Sequence, residues 1–128
     1  MRSYLDSSVI LDLIFNKGSI VFSDAINKSE KFTSRLTQVE VLRNVTRVNP
    51  GLLVDAAEVL SRIKFVEMTQ TIINTASTYP QEITLKSSDA IHMATAEHLL
   101  DIEDVLITYD KQMVLNARRL GVKVLTNL

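Results

Sequence analysis

The sequence predicts an α/β fold in which helices cover both faces of a parallel β-sheet. Three observations lead to this prediction. Short β-type runs alternate with segments in which apolar residues recur at helical spacing. The 128 residues include only three glycines and two prolines, which favours long helices joined by short connections. No repeat, low-complexity segment or linker interrupts the pattern, so we expect a single domain over residues 1–128.

Five short runs, rich in β-branched and aromatic residues, are the predicted strands. They span residues 3–6, 31–34, 64–68, 105–110 and 122–126. In open α/β sheets, ligands bind beyond the carboxyl ends of the strands, where the strand order reverses. The residues that follow each strand are therefore the first candidates for a functional site.

Seven predicted helices fill the intervals between the strands. They span residues 7–15, 19–28, 35–47, 50–63, 69–78, 87–100 and 110–120. Ser7 or Ser8 is expected to cap the first helix, and Gly121 to end the last. Pro50 suits the first turn of the fourth helix, where the N–H that proline lacks would have no partner.

Composition excludes several classes of function. The chain has no cysteine, which rules out a disulfide framework and thiolate metal ligands and fits a reducing cytoplasm. The net charge of −1 argues against a nucleic-acid binder held by charge alone, although a local basic rim remains compatible with it. The apolar N-terminal stretch is broken by Asp6 and Asp12, and no run could span a bilayer. We therefore expect a cytoplasmic protein without a membrane partner.

Four carboxylates stand near strand ends or helix starts. Asp6 ends the first strand, Glu40 lies on the helix after the second, Asp89 opens the helix before the fourth, and Asp110 ends the fourth. Each has a structural interpretation: the three aspartates can complement helix N-termini, and Thr37 with Glu40 fits a capping box. Capping, however, does not require all four to lie at one end of one sheet.

Carboxylates that converge repel one another, and a hard divalent cation relieves that repulsion. Mg²⁺ and Mn²⁺ prefer oxygen ligands. Two such ions about 4 Å apart could activate a water and stabilise the leaving oxygen of a phosphodiester. The acids therefore favour metal-dependent cleavage of a phosphodiester.

Four segments, YLDSS, TQVEVLRN, SSDAIHMATAEHL and LITYDKQM, resemble the PIN-domain nucleases, and above all the VapC-type toxins of toxin–antitoxin pairs. The resemblance covers essentially the whole chain. It depends mainly on an aspartate followed two residues later by Ser8, on Asp-Ala-x-x-x-Ala-x-Ala at 89–96, and on Thr-x-Asp at 108–110. It implies a three-layer α/β/α fold with a five-stranded parallel sheet of order 3-2-1-4-5. It also implies an Mg²⁺- or Mn²⁺-dependent endoribonuclease.

The resemblance also implies roles for particular residues. The family's acidic quartet maps onto Asp6, Glu40, Asp89 and Asp110, which would be the catalytic and metal-binding residues. The three aspartates would hold the principal ion, and Glu40 would contribute directly or through water. Two supporting residues match as well: the small polar residue near the metal and the hydroxyl before the fourth acid correspond to Ser8 and Thr108.

Three basic residues near the acids are candidates for RNA contact: Arg43, Lys86 and Lys111. Arg43 lies three residues after Glu40, so it can pair with that acid or contact a phosphate. His92 follows Asp89 by three residues, a spacing at which the two side chains can bind one metal ion. The acids already suffice as metal ligands. We therefore favour either a structural role for His92 or a role in orienting a metal-binding residue without contacting the metal itself. A further acidic cluster, Glu97, Asp101, Glu103 and Asp104, is predicted to be a solvated turn.

Partners follow from the resemblance: an RNA substrate, for which tRNA is one candidate, a cognate antitoxin, and a second copy in a homodimer. The apolar residues 10–15 and 20–22 could supply a dimer face or an antitoxin groove, although core packing is preferred. One alternative is a non-catalytic PIN-like domain that binds RNA or protein, but such a domain gains nothing from clustered acids. A phosphatase-like or receiver-like domain is the other, and Ser8 replaces the second aspartate of phosphatase chemistry.

Overall fold

A five-stranded, all-parallel sheet forms the centre of the molecule. The computed structural model describes residues 1–17 and 23–126. The strands are β1 (Arg2–Leu5), β2 (Glu30–Ser34), β3 (Lys64–Val66), β4 (Val105–Ile107) and β5 (Val124–Leu125). They pair in the order β3-β2-β1-β4-β5, which confirms the predicted topology.

Seven α-helices occur in the part of the chain that the structure describes. They are α1 (Ser7–Phe15), α2 (Asp24–Lys28), α3 (Arg35–Val48), α4 (Leu53–Ser61), α5 (Gln70–Ser77), α6 (Ser87–Leu99) and α7 (Lys111–Leu120). Within residues 1–17 and 23–126, no helix has both the length and the apolar character that a membrane span needs.

Two predicted helices differ from those observed. The helix predicted over 19–28 is helical only as α2, with Ser23 as its N-cap, and residues 19–22 lie outside the described ranges. The helix predicted from Pro50 begins instead with a 3₁₀ turn over Pro50–Leu52, and α4 follows it. Asn49 caps that turn by accepting a hydrogen bond from the Gly51 N–H at 3.1 Å, which favours a tighter first turn.

Side chains alternate between the two faces along each strand, so both faces present apolar residues. Helices cover both faces and bury these residues. On one face, Leu5, Val105 and Ile107 pack with apolar residues of α1, α3 and α4. On the other face, Tyr4 and Leu106 pack with residues of α6 and α7. This arrangement confirms the three-layer α/β/α architecture.

The apolar segment at 10–15 belongs to the first of these cores. Ile10 and Ile14 are buried, and Leu11, Leu13 and Phe15 are half-buried against them. Core packing is therefore the correct interpretation of the buried pair. The companion segment 20–22 lies outside the described residues.

Two helix starts differ from the sequence-based expectation. Asp6, rather than Ser7 or Ser8, caps α1 by accepting the Ser8 N–H at 3.0 Å. Ser34 caps α3, so Thr37 and Glu40 form no capping box. The reason is that β2 runs directly into α3, so that the helix begins earlier than a box based on Thr37 requires.

The acidic turn before β4 is solvated at Asp101 and Glu103, as predicted, but Asp104 is buried there. Its Oδ1 accepts the Arg2 backbone N–H at 2.7 Å, and its Oδ2 accepts the Asp101 N–H at 2.9 Å. The Arg2 guanidinium lies 3.1 Å from Oδ2. Asp104 therefore ties the start of β1 to the start of β4 at the amino edge of the sheet.

Candidate active site

The carboxyl ends of β1 and β4 meet at one edge of the sheet. The last residues of the two strands, Leu5 and Ile107, are paired in register. The Asp6 N–H continues the pairing with a hydrogen bond to the Ile107 carbonyl at 3.2 Å. Asp6 and the loop at residues 108–110 therefore lie beside each other, as the predicted strand order requires.

The Asp6 carboxylate is held on both oxygens. Its Oδ1 accepts the Ser8 N–H and the Ser8 hydroxyl, and its Oδ2 accepts the Thr108 hydroxyl. The same hydroxyl oxygens accept N–H groups of the following loop, from Tyr109 at 3.2 Å and from Asp110 at 3.1 Å. Burial raises the pKa of Asp6, and the hydrogen bonds from Ser8 and Thr108 oppose that rise. The two predicted supporting residues thus touch the first acid directly.

Asp110 is the N-cap of α7 and lies in the loop that follows β4, beside Asp6. Its Oδ1 accepts the N–H groups of Gln112 at 2.8 Å and Met113 at 3.0 Å at the start of α7. The capping interpretation is therefore correct for this residue. The cap occupies Oδ1 and fixes the side-chain direction, and Oδ2 accepts no hydrogen bond from the described residues.

Asp89 is the acid of the predicted quartet that α6 carries. It stands half-buried in the first turn of α6 and makes no hydrogen bond with the described residues. Burial raises its pKa, the charge of Asp110 raises it further, and so do those of Asp6 and Glu40, while His92 acts in the opposite direction. Because Coulomb repulsion declines with distance, Asp110, Asp6 and Glu40 lie near enough to Asp89 for their charges to oppose its ionisation.

Glu40 approaches this edge from α3 and is bound by a buried histidine. His92 Nε2 lies 2.6 Å from Glu40 Oε1, and His92 Nδ1 lies 2.7 Å from the Tyr4 hydroxyl. His92 therefore contacts Glu40 rather than Asp89, which precedes it on the same helix. Sequence reasoning missed Tyr4, because a tyrosine in an apolar strand has the signature of ordinary core.

The candidate RNA-contacting residues are all exposed: Arg43 on α3, Lys86 before α6, and Lys111 at the start of α7. Arg43 does not pair with Glu40. Together with Glu40, Ser7 and Arg47 it lines a cavity of 380 Å³ between α1 and α3. Within the described residues neither arginine has an ion pair or hydrogen bond. Sequence reasoning missed Arg47, although its spacing of four residues from Arg43 puts both on one helix face.

The donor set fits a hard divalent cation. The four acids offer only carboxylate oxygens, and no thiolate is available in a chain without cysteine. Over residues 1–17 and 23–126, no three Asp, Glu or His side chains are grouped closely enough to hold one ion between them. Metal ligation by the quartet therefore stays a prediction.

Known proteins share this fold and sequence pattern. The model of the PIN domain family matches residues 3–119. Ribonuclease VapC35 of Mycobacterium tuberculosis is 33% identical, in an alignment that covers 94% of this chain and 93% of the relative. Ribonuclease VapC47 of the same species is 27% identical, over 92% and 91% of the two chains.

Solved structures agree on the fold. One is VapBC2 from Rickettsia felis bound to a DNA fragment from their promoter, with a TM-score of 0.70, 12% identity and 98% of each chain covered. Another is a toxin-antitoxin complex from Klebsiella pneumoniae, with a TM-score of 0.64, 21% identity, and 84% and 86% of the two chains covered. The family model, the VapC relatives and the common topology agree: this chain belongs to the PIN-domain family, among its VapC-type members.

Proposed function

We propose that this chain is a metal-dependent endoribonuclease and the toxin of a type II toxin–antitoxin pair. One observation supports the activity most: Asp6 and the loop that carries Asp110 lie side by side after the paired ends of β1 and β4. Asp89 is half-buried, and burial together with the charges of Asp110, Asp6 and Glu40 opposes its ionisation. A domain that only binds RNA or protein gains no stability from such a cluster, whereas a cation turns the repulsion into ligation. The relatives that carry the name ribonuclease VapC support the same reaction.

Asp6, Asp89 and Asp110 would hold Mg²⁺ or Mn²⁺, with Glu40 contributing directly or through water. When bound, the cation supplies the positive charge that lowers the pKa of a water and stabilises the leaving oxygen of the phosphodiester. Ser8 and Thr108 contribute by holding the Asp6 carboxylate in one orientation. Because Asp6 and Asp110 are fixed by hydrogen bonds in the protein, little reorganisation is required when the ligand arrives.

The RNA strand would approach over α3. Arg43 and Arg47 line the cavity beside Glu40, so a phosphate seated there would lie next to the acids. Lys86 and Lys111 stand at the starts of the helices that carry Asp89 and follow Asp110, where they would meet neighbouring phosphates. With a net charge of −1, this local basic rim is the main electrostatic attraction that the chain offers to RNA.

A cognate antitoxin and a second copy of the chain are the proposed protein partners. Support for the antitoxin comes from the structures from Klebsiella pneumoniae and Rickettsia felis, which are named as a toxin-antitoxin complex and as VapBC2. The homodimer is proposed from the resemblance alone. Light scattering of the purified chain tests the homodimer. Co-expression with a candidate antitoxin tests the second partner, which should copurify with the chain and suppress its activity.

The test of the activity is cleavage of total cellular RNA, including tRNA, in the presence of Mg²⁺, Mn²⁺ or a chelator. Asp6→Asn should abolish metal-dependent cleavage, because an amide retains the α1 cap but is a much poorer cation ligand. Glu103→Gln is the matched control, since Glu103 is an exposed acid that precedes β4 at the opposite edge of the sheet. If well-folded wild type cleaves none of these RNAs in either metal, the chain is an interaction domain instead.

A further inference from the structure

We propose that His92 is a positioning residue for Glu40, and that Tyr4 fixes His92 from within the core. The inference rests on the proposed function, because it explains how Glu40, one of the four proposed catalytic acids, is held in its orientation. It requires no contact between His92 and the metal or the RNA.

Both ring nitrogens of His92 are engaged in a buried setting. The residue is 1% exposed, and Tyr4, whose hydroxyl meets Nδ1, is 0% exposed. Nε2 meets Glu40 Oε1 at 2.6 Å, and the glutamate side chain is 28% exposed. The imidazole therefore connects the interior of the sheet to a carboxylate that reaches the site.

The hydrogen bonds give this connection a direction. The Ser34 N–H donates to the Tyr4 hydroxyl oxygen at 3.1 Å, which leaves the Tyr4 proton to be donated to His92 Nδ1. An ordinary phenol is protonated at neutral pH, so the Tyr4 hydroxyl has this proton to donate. With Nδ1 as an acceptor, we assign the ring proton to Nε2, which donates to Glu40.

The connection begins and ends on the same helix. Ser34 is the N-cap of α3, and Glu40 lies farther along that helix. Tyr4 on β1 and His92 on α6 close the path between them. Thus α3 is bound to the same pair of side chains at two points, its cap and its functional acid, which limits both rotation of the helix and rotation of the Glu40 side chain.

A fixed orientation matters for Glu40 because its side chain has several rotatable bonds. Ordering a glutamate costs conformational entropy, which a ligand would otherwise have to offset on binding. His92 holds only Oε1, and Oε2 accepts no hydrogen bond from the described residues. One oxygen is thus held by the protein while the other remains open to the ion or its water.

A buried histidine that merely satisfies its own hydrogen bonds is the competing explanation. The two explanations differ in what His92→Gln and His92→Asn should do. The glutamine amide can reach the place of Nε2 and donate to Glu40, whereas the shorter asparagine amide reaches only the place of Nδ1. Thr95→Val is the matched control, because Thr95 is buried on the same helix and donates only to the Ile91 carbonyl.

The measurement is the affinity for Mn²⁺ by calorimetry, without RNA, on variants shown to be folded by circular dichroism. We expect His92→Asn to weaken Mn²⁺ binding about tenfold, His92→Gln to recover most of that loss, and Thr95→Val to match wild type. Tyr4→Phe should weaken binding by a smaller factor. In a Glu40→Gln background, His92→Asn should have no further effect, because the residue through which it acts has been changed.

Several outcomes would overturn the positioning role. These are an equal loss in His92→Gln and His92→Asn, a loss in His92→Asn that persists in the Glu40→Gln background, and a wild type without affinity for Mn²⁺. The inference and the proposed function fail separately. Wild type that cleaves RNA while His92→Asn binds Mn²⁺ normally would refute only the inference. The Glu40-dependent loss of Mn²⁺ affinity in a protein that cleaves no RNA would support the inference and refute the nuclease.

Discussion

At the scale of single residues, one carboxylate can cap a helix and also lie where the proposed metal site would be. Asp6 and Asp110 each accept backbone N–H groups at the start of a helix and also lie at the edge where the acids converge. A cap contributes about 1 kcal/mol and fixes the side chain in one rotamer, which is what a ligand position needs. Asp89 is different, because it makes no hydrogen bond with the described residues and its place is not explained by a side-chain cap.

Asp89→Asn should raise the stability of the metal-free protein at neutral pH. Burial and the charge of Asp110 raise the pKa of Asp89 above its unfolded value, so this group favours the folded state at low pH and loses that contribution as pH rises through the folded pKa. A neutral amide removes the repulsion. We expect a Tm higher by a few degrees in chelator at pH 7, and no gain near pH 3.

Saturating Mn²⁺ should make wild type more stable than Asp89→Asn, which reverses the order expected in chelator. A ligand at one hundred times its Kd stabilises the folded state by about 2.7 kcal/mol. Wild type should gain more stability from Mn²⁺ than Asp89→Asn, because the asparagine amide carries no negative charge to attract the ion. Thermal melts with and without Mn²⁺ provide the measurement. A variant that is less stable than wild type in chelator would show that Asp89 is a structural acid.

At the scale of the elements, α3 combines the acid of the site with a basic surface. Arg43 and Arg47 lie one turn apart on its exposed face, beside Glu40. Neither arginine has an ion pair with an acid among the described residues, so both guanidinium groups are open to an RNA phosphate.

Replacing both arginines by glutamine should therefore raise KM for RNA and leave kcat nearly unchanged. Each lost phosphate contact should also lower the slope of log affinity against log salt by about 1. Arg118→Gln is the control, since Arg118 is exposed near the C-terminal end of α7. The measurement is RNA binding and cleavage at several salt concentrations; an unchanged salt slope in the double variant would move the RNA path away from α3.

The end of α7 gives a conformational prediction. Gly121 adopts φ 74° as the C-cap, and the next N–H, of Val122, bonds to the Ala117 carbonyl at 2.8 Å. A Cβ at Gly121 would meet no atom within 4 Å, so Gly121→Ala should cost only the strain of the left-handed backbone, about 1 kcal/mol. Gly121→Asn should cost less, because asparagine tolerates this conformation. Urea unfolding measures both, and equal losses would contradict the explanation.

How far the sequence predicts these elements depends on how local their causes are. Gly121 was identifiable as a helix end because its signal is a single residue. The cap of α1 was not, because Ser7, Ser8 and Asp6 are all good caps and only the position of β1 selects among them. The quartet followed from a resemblance in order and spacing. The contacts of His92 with Tyr4 and Glu40 depend on how α6 is rotated against β1 and α3, and no local pattern encodes that.

At the scale of the whole molecule, the two edges of the sheet have acids with opposite roles. At the carboxyl edge, burial raises the pKa of Asp89, and the charges of Asp110, Asp6 and Glu40 raise it further. At the amino edge, Asp104 joins β1 to β4. Desolvation raises the pKa of Asp104, but the N–H groups of Asp101 and Arg2 and the Arg2 guanidinium outweigh it, so the pKa falls below its usual value. At neutral pH, ionised Asp89 thus destabilises the fold at the carboxyl edge, whereas ionised Asp104 stabilises it at the amino edge.

Asp104→Asn should consequently destabilise the protein in a pH-dependent way. Because the folded pKa of Asp104 is depressed, its contribution is fully present above the unfolded pKa of about 3.9 and is lost as pH falls through the folded pKa. We expect a loss of about 1 to 2 kcal/mol at pH 7, after allowance for water near the partly exposed Arg2. Near pH 2 the two proteins should converge.

Denaturant unfolding in chelator between pH 2 and pH 7 makes the comparison, with Asp89→Asn measured in parallel. The two variants should differ from wild type in opposite directions at pH 7, and both differences should shrink on acidification, since each depends on an ionised carboxylate. A constant loss for Asp104→Asn at every pH would mean that Asp104 acts through packing and neutral hydrogen bonds. The anchoring of β1 to β4 would then be independent of charge, and only the carboxyl edge would make the stability of this fold depend on pH.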